Sequence, residues 1–472
     1  MADSSTIFAL SSGAGKAGIA VIRVSGPAVR AVMGSMAAPA VLDRQAAFRR
    51  IVHPRSRALL DRAVVVFFAS PRSETSEDVV EFQVHGGRAV VRAVLDALAH
   101  VPGCRMAEPG EFARRAFNNG KLDLVEVESL ADLVDAETEA QRKLALQTGG
   151  MLSALYEGWR AKLIEVAGLV EAAIDFSDEG DVGTKAFEAA RVRARPLREA
   201  IAKHLDDGHR GEMLREGFRV ALLGPPNAGK SSLLNALARR DAAIVSEEAG
   251  TTRDVIEVRL DLDGYPVIVS DTAGIRETEG RIEQEGIRRS LAAAREADLN
   301  LWLSDSGFES RPSEISRETL VEVRTKSDLG TSPSPLGERV GVRGLGADIG
   351  SGQSPLIPPS GTLSPRGEGA AALSISTKTG AGVDELIRLI AARAKDAMGS
   401  ETAAPVVARA RHRQHLEQAV TSLWDFLDGP PDQLELRAED VRRAAHALGR
   451  ITGRVDVEDV LGEIFSRFCI GK

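Results

Sequence analysis

The chain has 472 residues, a formal net charge of −8 at pH 7 and a hydrophobic content of 43%. At roughly 150 residues per domain, this length predicts about three domains with sizeable cores. The acidic balance excludes a strongly basic surface over the whole molecule, although it leaves room for a local basic patch. The two cysteines are too few for a disulfide framework. Neither a secretory signal nor a membrane-length apolar run is present, so we expect a cytoplasmic protein that does not bind a membrane.

The N-terminal region, residues 1–120, is predicted to be an α+β domain. Short apolar runs such as GIAVIRVSG, AVVVFFAS and VVEFQVHGG alternate with turn residues, which is typical of strands mixed with occasional helices. In residues 121–215, apolar side chains recur three and four positions apart, as in AKLIEVAGLVEAAIDF, and this period predicts long amphipathic helices. The same helical period returns in residues 397–472.

Residues 216–396 alternate β-type runs with helical stretches, which predicts a doubly wound parallel sheet; the runs are FRVALLG, YPVIVSD, LNLWLSD and LVEVRTK. Because domain termini often lie close together, we interpret the flanking helical segments as one discontinuous domain into which the α/β domain is inserted. Two unrelated helical bundles are the alternative. Residues 330–369 are rich in Pro, Gly and Ser and lack periodic apolar side chains, so they are predicted to be a disordered insertion.

The segment GPPNAGKSS, residues 224–232, follows the predicted strand FRVALL and opens a helix. Its Gly-x-x-x-x-Gly-Lys-Ser spacing lets backbone N–H groups surround phosphates, with Lys230 against the β and γ oxygens and Ser231 on magnesium. A glycine turn with a chance lysine is the alternative, and the strand–loop–helix setting disfavours it. The predicted nucleotide contacts are Gly224, Asn227, Ala228, Gly229, Lys230, Ser231 and Ser232.

Two further motifs of phosphate-binding-loop GTPases, GTTRD and DTAG, follow in the expected order. Thr252 in GTTRD is expected to complete the magnesium coordination and to sense the γ-phosphate. In DTAG, Asp271 is expected to hold a water molecule bound to the magnesium ion, and the Gly274 N–H is expected to contact the γ-phosphate. Each motif alone is weak evidence, but their order along the chain supports a nucleoside triphosphatase.

The segments TKSD and STK are predicted to select the base. Asp328 can accept two hydrogen bonds from guanine, a donor pair that adenine lacks, so the predicted nucleotide is GTP. A solvated charged turn is the alternative for TKSD, and its place in the motif order disfavours it. Thr325 stands where the usual motif has an asparagine that also braces the phosphate loop, so we expect weakened affinity without a change of base. The predicted contacts are Thr325, Lys326, Asp328, Ser376, Thr377 and Lys378.

Motifs along nearly the full chain, apart from residues 330–369, resemble the MnmE (TrmE) family of tRNA modification GTPases. They include GPPNAGKSSLLNAL, AIVSEEAGTTRD, DTAGIRE, SEDVVEFQVHGG, PGEFARRAFNNGKLDLVEVESLADLVDAET and the terminal FCIGK. The resemblance implies a folate-binding and dimerising N-terminal domain, a discontinuous helical domain and an inserted G domain. It also implies a homodimer that joins a flavin-dependent partner, MnmG, in a heterotetramer. The implied product carries an aminomethyl-type or carboxymethylaminomethyl-type group on C5 of the wobble uridine, position 34, of certain tRNAs.

DTAG is followed by Ile275, whereas many GTPases have a glutamine there that orients the attacking water. The resemblance implies another device: a potassium ion bound when two G domains meet, with Glu283 orienting the water. A potassium ion can offset charge as a guanidinium does, and a carboxylate can position water. From the residues alone, Glu283 could equally be an exposed helix carboxylate. The implied potassium ligands, some of which also contact GTP, are Asn227, Ser246, Glu248 and Thr251.

The resemblance further implies a tetrahydrofolate derivative, in the 5-formyl or methylene form, at Arg23, Glu81, Lys121 and Lys472. Arginine and lysine suit the glutamate tail of a folate, and a carboxylate suits the paired N–H donors of its pterin. From the residues alone, Arg23 and Glu81 could simply face solvent.

Cys469 in the terminal FCIGK has three interpretations: an incidental thiol on a mobile end, a residue that docks the tail, or a nucleophile or acid/base in one-carbon chemistry. The competing function is a regulatory G-protein scaffold of the ribosome-assembly type without one-carbon chemistry. That class ordinarily has an appended RNA-binding module, and no convincing one is found in the sequence.

Overall fold

The computed structural model describes residues 5–177, 180–244, 256–271, 292–305, 316, 318–329, 373–399, 405–455, 461–462, 464–465, 468 and 471. The chain forms two compact units, Met1–Arg215 with Glu401–Lys472 and Glu216–Ser400. Within the described ranges, we find no helix with the length and apolar character needed to span a membrane. The predicted 330–369 insertion lies outside the described residues.

The first unit begins with a six-stranded sheet in the order β3-β4-β5-β2-β1-β6. Its strands are β1 Thr6–Leu10, β2 Ala17–Ser25, β3 Ala46–Val52, β4 Leu59–Phe68, β5 Val79–Gly86 and β6 Cys104–Met106. Neighbouring strands are antiparallel except for the parallel pair β1 and β6. Helices α1 Val29–Met36 and α2 Arg88–Ala99 pack on one face, where alternate strand residues such as Phe82 form a core with Val32 and Leu98. The N-terminal region is therefore an α+β domain, as predicted.

The helical part of the same unit is formed by two separate segments of the chain, one before and one after the second unit. Its helices are α3 Glu111–Asn118, α4 Leu124–Asp135, α5 Glu139–Gln147, α6 Ser153–Asp175, α7 Gly180–Leu205, α8 Arg210–Glu216, α11 Ala410–Asp428 and α12 Leu434–Thr452. Capping boxes at Asp123 and Thr138 fix the starts of α4 and α5. One apolar core joins Leu163 of α6 with Leu423 of α11 and Leu448 of α12. The prediction of a single discontinuous helical domain is confirmed.

The second unit holds a six-stranded sheet in the order β12-β11-β10-β7-β9-β8. Its elements are β7 Phe218–Leu223, α9 Lys230–Ala238, β8 Ile256–Leu262, β9 Tyr265–Asp271, β10 Leu299–Ser304, β11 Leu320–Arg324, β12 Leu373–Ser374 and α10 Val383–Met398. Five of the six strands are mutually parallel, which agrees with a doubly wound α/β domain.

The sheet has one antiparallel edge, where β8 pairs with β9. The turn between them is Asp263-Gly264, and both residues have positive φ, 56° and 87°. Two such residues form the tight hairpin turn that matches the twist of antiparallel strands. This Asp-Gly pair was the local signal for a hairpin.

Candidate functional site

The turn between β7 and α9 carries the predicted phosphate loop. Gly224 follows β7 with a φ of 140°, and a Cβ there would lie 2.2 Å from the carbonyl oxygen of Leu303, so only glycine fits. Gly229 is the N-cap of α9 with a φ of 92°, and Asn227 also has a positive φ of 62°. The loop thus turns onto the N-terminus of α9, where unpaired N–H groups and the helix dipole favour an anion.

Lys230 and Ser231 lie in the first turn of α9. Lys230 is 7% exposed, and its Nζ donates to the carbonyl oxygens of Gly224 at 2.8 Å and Pro225 at 3.0 Å. The ammonium group therefore lies inside the loop that it is predicted to serve. Ser231 Oγ donates to Oδ2 of Asp271 at 2.7 Å, and Asp271 is 1% exposed at the end of β9. Two neighbouring hard oxygen donors suit magnesium, so this geometry fits the predicted metal site.

The predicted guanine-recognition residues meet beyond the ends of β11 and β12. The fully buried Ser376 donates its hydroxyl to Oδ1 of Asp328 at 2.7 Å and accepts the backbone N–H of Thr379 at 3.2 Å. The Ser376 hydrogen bond, aided by the charge of Lys378, holds the pKa of Asp328 below its usual value. The side chain predicted to bind guanine is thus oriented and ionised as a hydrogen-bond acceptor.

Thr325 and Lys326 begin the same loop. The Thr325 N–H donates to the Ser304 carbonyl at 2.9 Å, while its side chain is 4% exposed and its Oγ1 has no hydrogen-bond partner within the described part of the chain. Lys326 has a positive φ of 55° and donates to Oδ2 of Asp305 at 2.6 Å. The Thr325 hydroxyl therefore makes no hydrogen bond to the described phosphate loop.

The other predicted residues of this unit divide into two groups. Among those described, Ala228 is buried, Thr377 is half-buried, and Ser232 and Lys378 are exposed. The predicted residues that lie outside the described residues are Ser246, Glu248, Thr251, Thr252, Gly274 and Glu283 in this unit and Cys469 and Lys472 in the other.

In the first unit, Arg23 of β2 and Glu81 of β5 are direct cross-strand partners. Arg23 Nε donates to Glu81 Oε1 at 3.0 Å, and the guanidinium also pairs with Glu74 and lies 5.8 Å from the ring centre of Phe112. The Arg23 and Glu81 side chains are each 18% exposed, so they are not ordinary solvated strand residues. Lys121 is exposed in the turn before α4. The pair can present an oriented carboxylate to a ligand with N–H donors.

The C-terminal tail contacts the end of β1. Ser11 Oγ donates to the Gly471 carbonyl at 2.9 Å, and Gly471 has a φ of 109°. A Cβ on Gly471 would lie 2.1 Å from the Leu10 carbonyl oxygen, so the close approach requires glycine. Leu10 pairs with Ile22, the residue before Arg23 on β2. The described tail residue Gly471 therefore lies against the end of β1, and β1 in turn pairs with β2, the strand that carries Arg23.

Aromatic side chains hold the segment that leads into the tail. Phe465 and Phe468 pack in a small core with Ala113 of α3 and Val127 of α4. A Cβ at Gly110 would lie 2.7 Å from the Phe465 carbonyl oxygen, so the backbones meet closely there. The described tail residues are thus packed parts of the first unit.

The structure also contains a buried cluster of charged side chains around Glu128, which the sequence patterns did not predict. Glu128 of α4 is 3% exposed and accepts hydrogen bonds from Arg411 Nη2 at 2.9 Å and His412 Nε2 at 2.8 Å. Burial opposes ionisation, but His412, Arg411 and Arg409 outweigh it and hold the pKa of Glu128 far below its usual value. Burial lowers the pKa of the fully enclosed His412, and the neighbouring Glu128 opposes that shift. A glutamate within the apolar run LVEVESL was the available signal, because a buried carboxylate requires a partner.

Comparison with known proteins gives matches over nearly the whole chain. Residues 6–121 match the family model for the GTP-binding protein TrmE N-terminus, and residues 124–469 match the model for the MnmE helical domain. Among solved structures, Era from Aquifex aeolicus bound to GDP·AlF4− covers 43% of this chain and 66% of that chain, with 22% identity and a TM-score of 0.24.

Two curated relatives match from end to end. The tRNA modification GTPase MnmE of Parvibaculum lavamentivorans is 50% identical over 477 residues, which cover 99% of this chain and 100% of that protein. The protein of the same name from Methylobacterium radiotolerans is 46% identical over 475 residues, which cover 100% of both chains.

Proposed function

The chain belongs to the MnmE family of tRNA modification GTPases, and from this premise we propose that it is a potassium-dependent GTPase that modifies C5 of the wobble uridine of certain tRNAs. The added group is of the aminomethyl or carboxymethylaminomethyl type and uses a tetrahydrofolate one-carbon unit. The proposed working form is a cytoplasmic homodimer that forms a heterotetramer with a flavin-dependent, MnmG-type protein.

GTP hydrolysis transfers the γ-phosphoryl group to water, so the site must hold the phosphates and neutralise developing charge. Lys230 donates to two loop carbonyls, and phosphate oxygens would replace these acceptors when GTP binds. Magnesium, held by Ser231 and Thr252 with Asp271 beside it, would supply positive charge against the phosphates. The 2.7 Å contact between Ser231 and Asp271 supports this assignment.

Potassium would add a second positive charge, held by the Asn227 side chain and by oxygens of Ser246, Glu248 and Thr251. Asn227 is exposed on the phosphate loop, and its positive φ turns the loop there, which suits a ligand to an ion that binds as two G domains meet. Glu283 would position the water, directly or through a second water, in place of the glutamine that Ile275 replaces.

The potassium assignment is tested by GTP turnover at equal ionic strength in potassium and in sodium. We expect rapid turnover in potassium only, and Glu283→Ala should lose most of it while still binding GTP. Equal rates in the two salts, or near wild-type turnover by Glu283→Ala, would contradict the proposal.

The one-carbon chemistry is assigned to the first unit. Arg23, Glu81, Lys121 and Lys472 would bind the tetrahydrofolate derivative, with Glu81 accepting hydrogen bonds from the pterin and Arg23 orienting that carboxylate. The observation that carries this assignment is the docking of Gly471 on Ser11, at the end of β1, the strand that pairs with the Arg23 strand. Because Gly471 lies between Cys469 and Lys472 in sequence, this docking supports a place for both near the folate.

Isothermal titration of the full-length protein with 5-formyltetrahydrofolate tests this site. Binding by the wild type and its loss in Glu81→Gln, which removes the carboxylate charge while keeping the shape of the side chain, is the expected result. No detectable binding by the wild type, or unchanged binding by Glu81→Gln, would overturn the assignment.

A further inference from the structure

The hairpin formed by β3 and β4, Ala46–Phe68, is strongly basic in a chain whose net charge is −8. It contains five arginines and one carboxylate, that of Asp61, so it has an excess of four positive charges. The arginines are Arg49, Arg50, Arg55, Arg57 and Arg62. The Asp61 carboxylate is engaged elsewhere, because its two oxygens accept the backbone N–H and the Nδ1 of His85, each at 2.8 Å.

None of these five guanidinium groups forms an ion pair with a carboxylate in the described part of the chain. Those of Arg49 and Arg57 donate to backbone carbonyl oxygens. Arg50 and Arg62 are exposed, and the two residues are direct cross-strand partners. Like charges directly opposite each other destabilise a sheet, so an anion outside the protein explains this pair better than the stability of the hairpin does.

The exposed side chains of the hairpin lie on the same face of the sheet as the Arg23–Glu81 pair. Opposite residues of neighbouring strands share a face, and so do residues two positions apart along one strand. The pairs that establish this face are Arg23 with Glu81, Glu81 with Val66, Val64 with Phe48, and Arg62 with Arg50. Helices α1 and α2 cover the other face. From the spacing of strands and residues, Phe48 lies about 12 Å and Arg50 about 17 Å from Glu81.

Phe48 adds an aromatic surface to this face. The residue is 65% exposed and belongs to β3, the edge strand of the sheet. An unpaired base of an RNA loop can stack on an exposed aromatic ring while neighbouring arginines contact its phosphates. A second copy of the chain fits this surface less well, because a symmetric contact would bring two sets of unpaired arginines together.

We propose that the β3–β4 hairpin is an RNA-binding surface for the anticodon arm of the tRNA. Arg50, Arg55 and Arg62 contact backbone phosphates, and Phe48 stacks on an unpaired base. The proposal rests on the tRNA substrate of the proposed function and gives that substrate a contact surface. Because the hairpin shares a face with Arg23 and Glu81, RNA bound here lies close to the proposed folate site.

The test measures binding of the full-length protein to a fluorescein-labelled transcript of a tRNA with uridine at position 34. Anisotropy is recorded at potassium chloride concentrations from about 50 to about 300 mM. In the variant Arg50→Gln/Arg62→Gln, two exposed charges are removed without leaving a buried partner. Each phosphate contact raises affinity near 0.15 M salt about four- to sixfold, so this variant should bind about 15- to 30-fold more weakly. Its plot of log affinity against log salt should be shallower by about 1.4 to 1.8.

Two further variants make the test specific. Arg195→Gln/Lys203→Gln is the matched control, because both residues are exposed on α7 with no ion pair among the described residues, and it should bind like the wild type. Phe48→Ala should weaken binding at least about fivefold without changing the salt dependence, since it removes stacking and no charge. GTP turnover should equal that of the wild type in all three variants, because the nucleotide residues belong to the other unit.

Three results would overturn the proposal. The first is wild-type affinity in Arg50→Gln/Arg62→Gln, or an equal loss of affinity in the control variant. The second is conversion of a dimer to a monomer by Arg50→Gln/Arg62→Gln in sedimentation velocity, which would identify the hairpin as a contact between copies. The third is failure of the wild-type chain to bind the transcript. The proposed function is tested separately, by the tRNA nucleosides of a deletion strain.

Discussion

Replacing Gly471 by alanine should detach the C-terminal tail and abolish tRNA modification while leaving GTP hydrolysis intact. The tail is docked by the hydrogen bond from Ser11 Oγ to the Gly471 carbonyl, at 2.9 Å. In the proposed function, this docking brings Cys469 and Lys472 to the folate site. The nucleotide residues belong to the other compact unit, so they do not depend on the tail.

The steric overlap and backbone strain that alanine would introduce at position 471 favour detachment of the tail from the end of β1. A Cβ on Gly471 would lie 2.1 Å from the Leu10 carbonyl oxygen, whereas an ordinary carbon–oxygen contact is about 3.3 Å, so the tail would have to move by about 1.2 Å. Residue 471 also has a φ of 109°, and a non-glycine residue in such a conformation costs about 1–3 kcal/mol. The Ser11 hydrogen bond contributes only about 0.5–1.5 kcal/mol net, so the backbone strain and the steric overlap with Leu10 together exceed what the bond can offset.

The assay combines carboxypeptidase sensitivity of the tail, the nucleosides of tRNA from a complemented deletion strain, and GTP turnover. Gly462→Ala is the matched control, because no atom lies within 4 Å of a Cβ at Gly462. We expect Gly471→Ala to be trimmed rapidly and to leave the wobble uridine unmodified, with the control like the wild type. Wild-type tRNA modification by Gly471→Ala would refute the docking argument.

Four other substitutions test separate parts of the molecule. Glu128→Gln should lower stability in urea at pH 7 by about 3–5 kcal/mol, because it leaves the half-buried charges of Arg409 and Arg411 without their buried partner. The pKa of Glu128 is lower in the folded protein than in the unfolded chain, where it is about 4.3. Ionised Glu128 therefore adds to the free energy of unfolding above about pH 4.3, and the wild type loses this contribution in stronger acid. Glu128→Gln should show no such loss. Burial, with Arg411 and Arg450 nearby, lowers the pKa of His415 to about 4. Because the unfolded chain takes up this proton near pH 6.5 and the folded protein does not, the melting temperature should fall as the pH drops from about 6.5 to about 4. The fall should be less steep in His415→Asn. Asp328→Asn should weaken GTP binding at least about tenfold and favour xanthosine triphosphate, and unchanged GTP affinity would refute its role in base selection. Cys469→Ser should retain potassium-stimulated GTP turnover but reduce wobble-uridine modification, and full complementation by this variant would exclude a catalytic role.

Features encoded locally were predictable from the sequence. The phosphate loop is one strand, one turn and one helix in succession, so the spacing from Gly224 to Ser231 was sufficient to predict its position. The order of the motifs was sufficient to single out Asp328 as a candidate base-binding residue, but its hydrogen bond to Ser376 needed the parallel pairing of β11 and β12.

Features that depend on distant pairing were not predictable. Glu128 and Arg411 are 283 positions apart, and helical periodicity shows which face is buried without showing which charge will meet another. The Arg23–Glu81 pair likewise depends on the register between β2 and β5, which a single strand pattern does not determine. Close approaches such as that of Gly471 to Leu10 join the two ends of the chain and leave no local signal.

The central claim is that this chain is required for one-carbon-dependent modification of the wobble uridine, and mass spectrometry of tRNA nucleosides tests it most directly. Nucleosides from a deletion strain should lack the C5-modified wobble uridine, and the wild-type chain should restore it. Intact wobble-uridine modification in the deletion strain would contradict the account and would favour a G-protein scaffold without one-carbon chemistry.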